Sequence, residues 1–174
     1  MTLATHGIVG ALVAQSLAWN PALAIPVAFL SHFALDTIPH WDYKLHSVGG
    51  DYNDSMTWTF SYGSSFIKDG LKVGGDFLLG VIVSFLLLRL LGFNTSWVTW
   101  AGLVVAVSPD FFHFIYGHFP NKIIESLQRF HKFCHSKRRL DGRPWLGIGL
   151  QILFVVLVVI IFISFLLLSS SFGH

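Results

Sequence analysis

From Trp145 to Leu168 the chain carries no charged residue, and its only polar side chains are Gln151 and Ser164. Wound as a helix, this run is about 36 Å long, enough to cross a hydrocarbon core of about 30 Å. Lipid offers no partner to backbone N–H and C=O groups, so such a run is a transmembrane helix and the rest of the chain is organised around a bilayer. Composition agrees. Hydrophobic residues make up 53% of the sequence and charged residues 11%, against about 25% charged in soluble domains. This excludes a disordered chain, which needs low hydrophobicity and high charge. A net charge of +2 offers no broad basic face, so no nucleic-acid partner is expected. The single cysteine, Cys134, excludes an intrachain disulfide framework. At 174 residues the chain reads as one domain, 1–174. No Lys or Arg precedes Lys44, so the N-terminal stretch lacks the positive region of a cleavable signal peptide.

The apolar stretch from Gly7 to Ile38 is interrupted at Asn20-Pro21, a good N-cap followed by a good first helical residue. It reads as two short helices, about 5–19 and 21–37, in a hairpin sheltered by other helices. Pro26 kinks the second or delays its start. Further helices are expected over about 71–92, 94–107 and 145–170, with Ser108-Pro109 as a break and fresh helix start. Two segments are polar. Residues 41–70 are long for a connector and read as a lid-like loop whose Trp41, Tyr52, Trp58 and Tyr62 cover a substrate at the interface. Residues 121–143 hold Lys122, Arg129, Lys132, Lys137, Arg138, Arg139 and Arg143. There Ile124, Leu127 and Cys134 share one helical face and Lys122, Arg129 and Lys132 another, the pattern of a helix lying at the membrane surface. The expected architecture is all-α: a polytopic membrane bundle of about five helices with a surface amphipathic helix. The excess of Lys and Arg places 121–143 in the cytoplasm, and counting back through helices four and three puts 41–70 on the same side.

The unusual polar residues then fall at one membrane face. His6 precedes or opens helix one; His32, Asp36, His40 and Asp42 cluster at the end of helix two; Asp76 starts helix three. Asp110 and His113 follow helix four, and His131 and His135 precede helix five. Imidazoles and carboxylates near lipid are costly unless paired, hydrated or bound to metal. Four-residue spacing puts His32 with Asp36, and His131 with His135, on shared helical faces; three-residue spacing does the same for Asp110 and His113. Pro39 ends helix two and leaves His40 beyond it as a further donor. Such ligands suit zinc, and also manganese or iron, with enough donors for one or two ions. The plainer readings are a satisfied polar rim, headgroup contacts for His131 and His135, and an Asp76 that caps or pairs with Lys72. His46, His118 and His174 lack a partner pattern and read as surface residues.

SHFALDTIPHW, Ser31 to Trp41, resembles the HxxxD-plus-proline-plus-His segment of zinc-dependent phospholipase C and S1/P1-type nucleases. THG at Thr5 to Gly7, SPDFFH at Ser108 to His113 and FHKFCHS at Phe130 to Ser136 resemble motifs of bacterial inner-membrane metal-dependent hydrolases. In this chain SHFALD comes first rather than last, and Phe112 stands where that family's pattern has an Asp. The resemblance implies a prokaryotic inner-membrane protein with His6, His32, Asp36, Asp110, His113, His131 and His135 as metal ligands.

The expectation is therefore a membrane-embedded hydrolase of a phosphoester, lipid or lipid-linked, working through a metal-activated water. Asp36 or Asp110 is the candidate general base. Lys132, Lys137, Arg138 and Arg139 attract the phosphate, and Asp42 and Asp76 are additional candidate ligands. A non-catalytic metal-binding or transport protein is the alternative, and a structural protein with a hydrogen-bonded rim is the third reading.

Overall fold

Asn20-Pro21 breaks the first apolar stretch as its chemistry dictates. Helix α1 (Leu3–Ser16) and helix α2 (Pro21–Asp36) form a hairpin with Pro21 in the first turn of α2. At about 21 and 24 Å neither is long enough to span a bilayer, and both are sheltered by neighbours. α1 is rich in Ala and Gly and buried from Ala4 to Leu12. It packs against α2, α3 (Ser64–Leu90), α4 (Trp97–His118) and α6 (Pro144–Ser171). Its closest approach is to α4, where a Cβ on Gly10 would lie 2.3 Å from Ala106 Cβ and one on Gly102 would lie 2.1 Å from Ala14 Cβ. Small residues at a crossing are how helices in lipid gain close contact without a hydrophobic driving force.

This computed structural model describes residues 1–51, 54–138 and 140–171, with side chains to Phe165. Among them the secondary structure is almost all helical, as expected, with six α-helices, of which α5 spans Lys122–Cys134. Three helices, Ser64–Leu90, Trp97–His118 and Pro144–Phe165, are long and apolar enough to cross a membrane. That is fewer spans than a five-helix bundle would supply, because the two helices of the α1–α2 hairpin are too short to cross. The outer sides of α3 and α6 expose Leu78, Ile82, Leu86, Ile152, Leu157 and Ile161, a surface suited to lipid.

Two boundaries differ from the sequence reading. The break expected at Ser108-Pro109 is absent, and α4 continues to His118. Pro109 removes the N–H that would bond to the Val105 carbonyl, but the Ser108 hydroxyl donates to that oxygen at 2.8 Å. A hydroxyl that re-satisfies a freed carbonyl is what lets proline stay inside a membrane helix. The second difference is that α3 begins at Ser64 rather than near 71, so the lid-like loop is shorter than 41–70 and Lys68 and Asp69 are helical. Within the loop, β1 (Val48–Gly49) pairs antiparallel with β2 (Thr59–Phe60), Val48 opposite Phe60. The loop is held to the site end of α4 by Trp58 against His113 (5.3 Å between ring centroids) and Phe60 against Phe114 (5.1 Å). Trp41 instead packs on α6 at Gly147, Tyr62 meets His118, and Tyr52 lies outside the described residues.

The isolated polar residue of the long apolar run has a structural task. Gln151 of α6 accepts from the Thr2 N–H at 3.1 Å and the Thr5 hydroxyl at 3.1 Å, and donates to the Trp41 carbonyl at 2.9 Å. It pins α6 to the start of α1 and to the lid.

Candidate metal centre

α2 delivers His32 and Asp36 from its last turns, both fully buried. Pro39 prevents the helix from continuing, and His40 turns back with its Nδ1 2.7 Å from the Ile38 carbonyl. α5 starts on Asn121, whose side chain accepts from the N–H groups of Ile123 and Ile124, and buries Gln128 and His131, with His135 just past its end. Two backbone hydrogen bonds fix the end of α5 to the end of α2: Ser136 N–H to Asp36 O at 2.7 Å and Leu140 N–H to His40 O at 3.1 Å. Gln128 adds a bond to the Pro109 carbonyl of α4 at 3.3 Å. Three segments far apart in sequence are thereby held around Asp36.

The resulting distances are short. Asp36 Oδ2 lies 2.8 Å from His131 Nε2 and 3.2 Å from His32 Nε2, and Asp36 Oδ1 lies 3.2 Å from His6 Nε2 and 3.9 Å from His40 Nε2. Asp110 Oδ1 is 3.6 Å from His32 Nε2 and 3.7 Å from His131 Nε2. Two sets of donor atoms lie within 4.8 Å of one another, His32–Asp36–Asp110–His131 and Asp36–His40–His135, and Asp36 is common to both.

The Met1 ammonium donates to Asp36 Oδ1 at 3.3 Å, but the protons available do not satisfy all the imidazole nitrogens around that carboxylate. His32 Nδ1 lies 2.7 Å from the Ala106 carbonyl, and a carbonyl can only accept, so the proton of a neutral His32 is on Nδ1. Its Nε2 then presents a lone pair to His131 Nε2 at 3.0 Å and to the Asp36 carboxylate. One proton on His131 Nε2 can serve Asp36 or His32, not both. In addition, His6 Nδ1, His113 Nδ1 and His131 Nδ1 are buried without a hydrogen-bond partner. Buried polar atoms are normally paired, and the Met1 ammonium reaches only the Asp36 side of the cluster, leaving these imidazole lone pairs without a donor. The carbonyl bond at His32 Nδ1 fixes the orientation of its ring, the kind of outer contact that also orients imidazole ligands in metal sites. The His40–Ile38 carbonyl bond has the same form. Burial holds the His40 imidazole down at about 3 and also lowers His135, so both rings are neutral near pH 7 and free to ligate.

All eight residues read from the sequence as ligands are brought together, with different standing. His32, His40, His131, His135, Asp36 and Asp110 supply the two sets. His6 stacks on His32 at 3.9 Å and touches Asp36, while His113 stacks on His131 at 4.8 Å; both lie beside the sets. Of the additional candidates, Asp42 borders the cavity next to the site. Asp76 is placed elsewhere: it accepts from the Leu3 and Ala4 N–H groups, at 2.6 and 3.3 Å, and from Tyr43 OH at 3.2 Å. It caps α1, so a role as ligand does not follow. Because α4 runs on past Pro109, Asp110 and His113 sit about one to two turns before the end of that helix rather than beyond it. Of the expected phosphate-binding residues, Lys132 is paired with Asp54 of the lid at 2.7 Å, Lys137 borders the cavity, Arg138 is exposed, and Arg139 lies outside the described residues.

The residues missed by sequence reasoning are supporting ones. Gln128 had a signal, since it lies three before His131 on the same face of α5. The Ala106 carbonyl had none, because a backbone group has no sequence signature. No family model matches the chain, and neither a curated protein nor a solved structure does.

Proposed function

We propose that this chain is a membrane-embedded, metal-dependent hydrolase of a lipid or lipid-linked phosphoester, with one or two divalent ions, zinc first among them, held around Asp36. The observation that carries the reading is the convergence of the His32, Asp36, Asp110 and His131 donor atoms where a cavity of about 960 Å³ borders Asp110, His113, His131 and His135. A bound divalent ion there supplies Lewis acidity and a water of lowered pKa. Asp36 is fully buried among imidazoles, which suits a ligand shared by the two donor sets. Asp110 is 29% exposed on its side chain and faces the cavity, so it is the better placed of the two carboxylates to take a proton from an attacking water. Lys137 at the cavity wall offers a counter-charge to phosphate. The excess of Lys and Arg in 121–143 assigns the site to the cytoplasmic side.

The donors gather near one end of the spans instead of being spread through their depth, which favours chemistry over ion passage. The test is metal analysis of the purified protein beside a His32→Ala, Asp36→Ala double variant, together with phosphate release from lipid phosphoesters in the presence of zinc. Bound metal and turnover in the wild type, both lost in the variant, are expected. Equal, near-zero metal in the two proteins refutes the reading, and metal-dependent ion uptake without any phosphate release replaces it with transport.

A further inference from the structure

α3 and α4 both pack along α1, yet between themselves they meet mainly through aromatic pairs near their two ends. Phe66 approaches Phe114 (6.1 Å between centroids) at the site end, and Phe85 approaches Trp100 (6.4 Å) at the other. Between these pairs the cavity is walled by Gly70, Val73, Gly74 and Phe77 of α3 and by Val104 and Phe111 of α4. Val104 and Phe111 are 53% and 59% exposed, so the cavity opens to the outside at the depth of the spans. A Cβ placed on Gly70 or Gly74 would meet nothing within 4 Å. The same cavity ends in polar groups, Asp110, His131, His135 and Lys137. From the loop side it is covered by Trp58 and by the lid that the Asp54–Lys132 pair ties to α5.

We infer that this cleft is a lateral portal for a bilayer-dissolved, long-chain phosphoester lipid, whose acyl chain lies against Val73, Phe77, Val104 and Phe111 while its phosphate reaches Asp110 and His131. The inference rests on the hydrolase reading for what happens at the polar end, but not for occupancy of the apolar end. Three physical points favour this occupant. Two of the three spans form the walls, so the opening faces hydrocarbon, where an acyl chain already resides and incurs no transfer cost. The lining changes from apolar to charged along its length, which matches a molecule with a tail and an anionic head. The volume lies within the roughly 300–1,000 Å³ of pockets that enclose a small ligand. A water-soluble phosphoester would instead have to come from the loop side, where the lid sits.

Glycine positions make the test selective. Gly74 borders the cavity, whereas Gly75 does not, and a Cβ on either would meet nothing within 4 Å. Gly74→Phe therefore fills the cleft, and Gly75→Phe is a matched control. The full chain is reconstituted with zinc in phosphatidylcholine vesicles containing phosphatidic acid with a diazirine in one acyl chain, and photolabelled peptides are mapped by mass spectrometry. Phosphate release from phosphatidic acid and from glycerol 3-phosphate is measured alongside. Labelling centred on Val73, Phe77, Val104 and Phe111 is expected, falling at least about tenfold in Gly74→Phe and not in Gly75→Phe. Turnover of phosphatidic acid should fall in parallel while that of glycerol 3-phosphate holds. Labelling spread evenly over α3, α4 and α6 and indifferent to Gly74→Phe overturns the portal, even if phosphate is released. The expected labelling without phosphate release from either compound upholds the portal and removes the hydrolase reading.

Discussion

Gly102→Ala adds a single methyl group where α1 and α4 cross, and the structure sets the size of its effect. The new Cβ would lie 2.1 Å from Ala14 Cβ, 3.0 Å from the Gly10 carbonyl oxygen and 3.5 Å from Ala28 Cβ. Carbon atoms rest at about 3.5–4.0 Å, so the first contact requires a separation of about 1.5 Å. Neither neighbour can rotate away, because one is a β-carbon fixed to its backbone and the other is backbone itself. Overpacking of this kind costs about 1–3 kcal/mol, and the absence of any rotamer to absorb it puts the cost at the upper end. For a chain of this length that corresponds to roughly 6–12 °C in Tm. Asp110 lies about two turns along α4 from Gly102, and His6 about two turns before Ala14 on α1. Ligand distances tolerate only about 0.2 Å, so a displacement of this order at the crossing should also weaken metal binding by at least about tenfold. Thermal denaturation in detergent and metal content of the purified protein are the readouts. Gly74→Ala is the control: with nothing within 4 Å of its new Cβ, it should leave Tm unchanged or slightly raised. Wild-type Tm and metal content in Gly102→Ala, or an equal loss in Gly74→Ala, would refute the close-crossing argument.

Asp36→Asn should strip the centre of all metal, because Asp36 belongs to both donor sets, whereas His135→Gln should remove no more than half. Full metal in Asp36→Asn, measured by elemental analysis, contradicts the shared role. Ser108→Ala leaves the Val105 carbonyl without its 2.8 Å donor and should cost about 1–3 kcal/mol; an unchanged melting curve would mean the carbonyl finds another partner. His40 supplies a pH dependence in metal-free protein. Burial lowers its pKa from 6.5 to about 3, so between these values the unfolded chain binds the extra proton and stability rises with pH. The contribution is fully present above about pH 6.5 and is lost as pH falls toward 3. His40→Gln should flatten this part of the Tm–pH curve, and an identical curve in the variant counts against a buried neutral imidazole.

Much of the helical architecture was legible in the sequence because lipid leaves the backbone few choices. The run from Trp145 to Leu168 has to be a helix, Asn20-Pro21 has to begin one, and the HxxxD spacing of His32 and Asp36 has to place them on one face. The gathering of imidazoles and acids was also expected, although from five helices where three are long and apolar enough to cross a membrane. What the sequence could not decide is how neighbours alter local rules. Proline at 109 ordinarily ends a helix, but α4 continues through it, with the Ser108 hydroxyl on the freed Val105 carbonyl, and so carries Asp110 within the helix. In the sequence reading Asp76 and Asp36 both fall near helix ends, although α3 in fact starts at Ser64 and carries Asp76 more than three turns inside. Packing alone turns the first onto the N–H groups of α1 and surrounds the second with four imidazoles. Periodicity reports which face of a helix a residue occupies, but the partner on that face depends on how closely two backbones approach, and here that distance is set by glycines at 10 and 102.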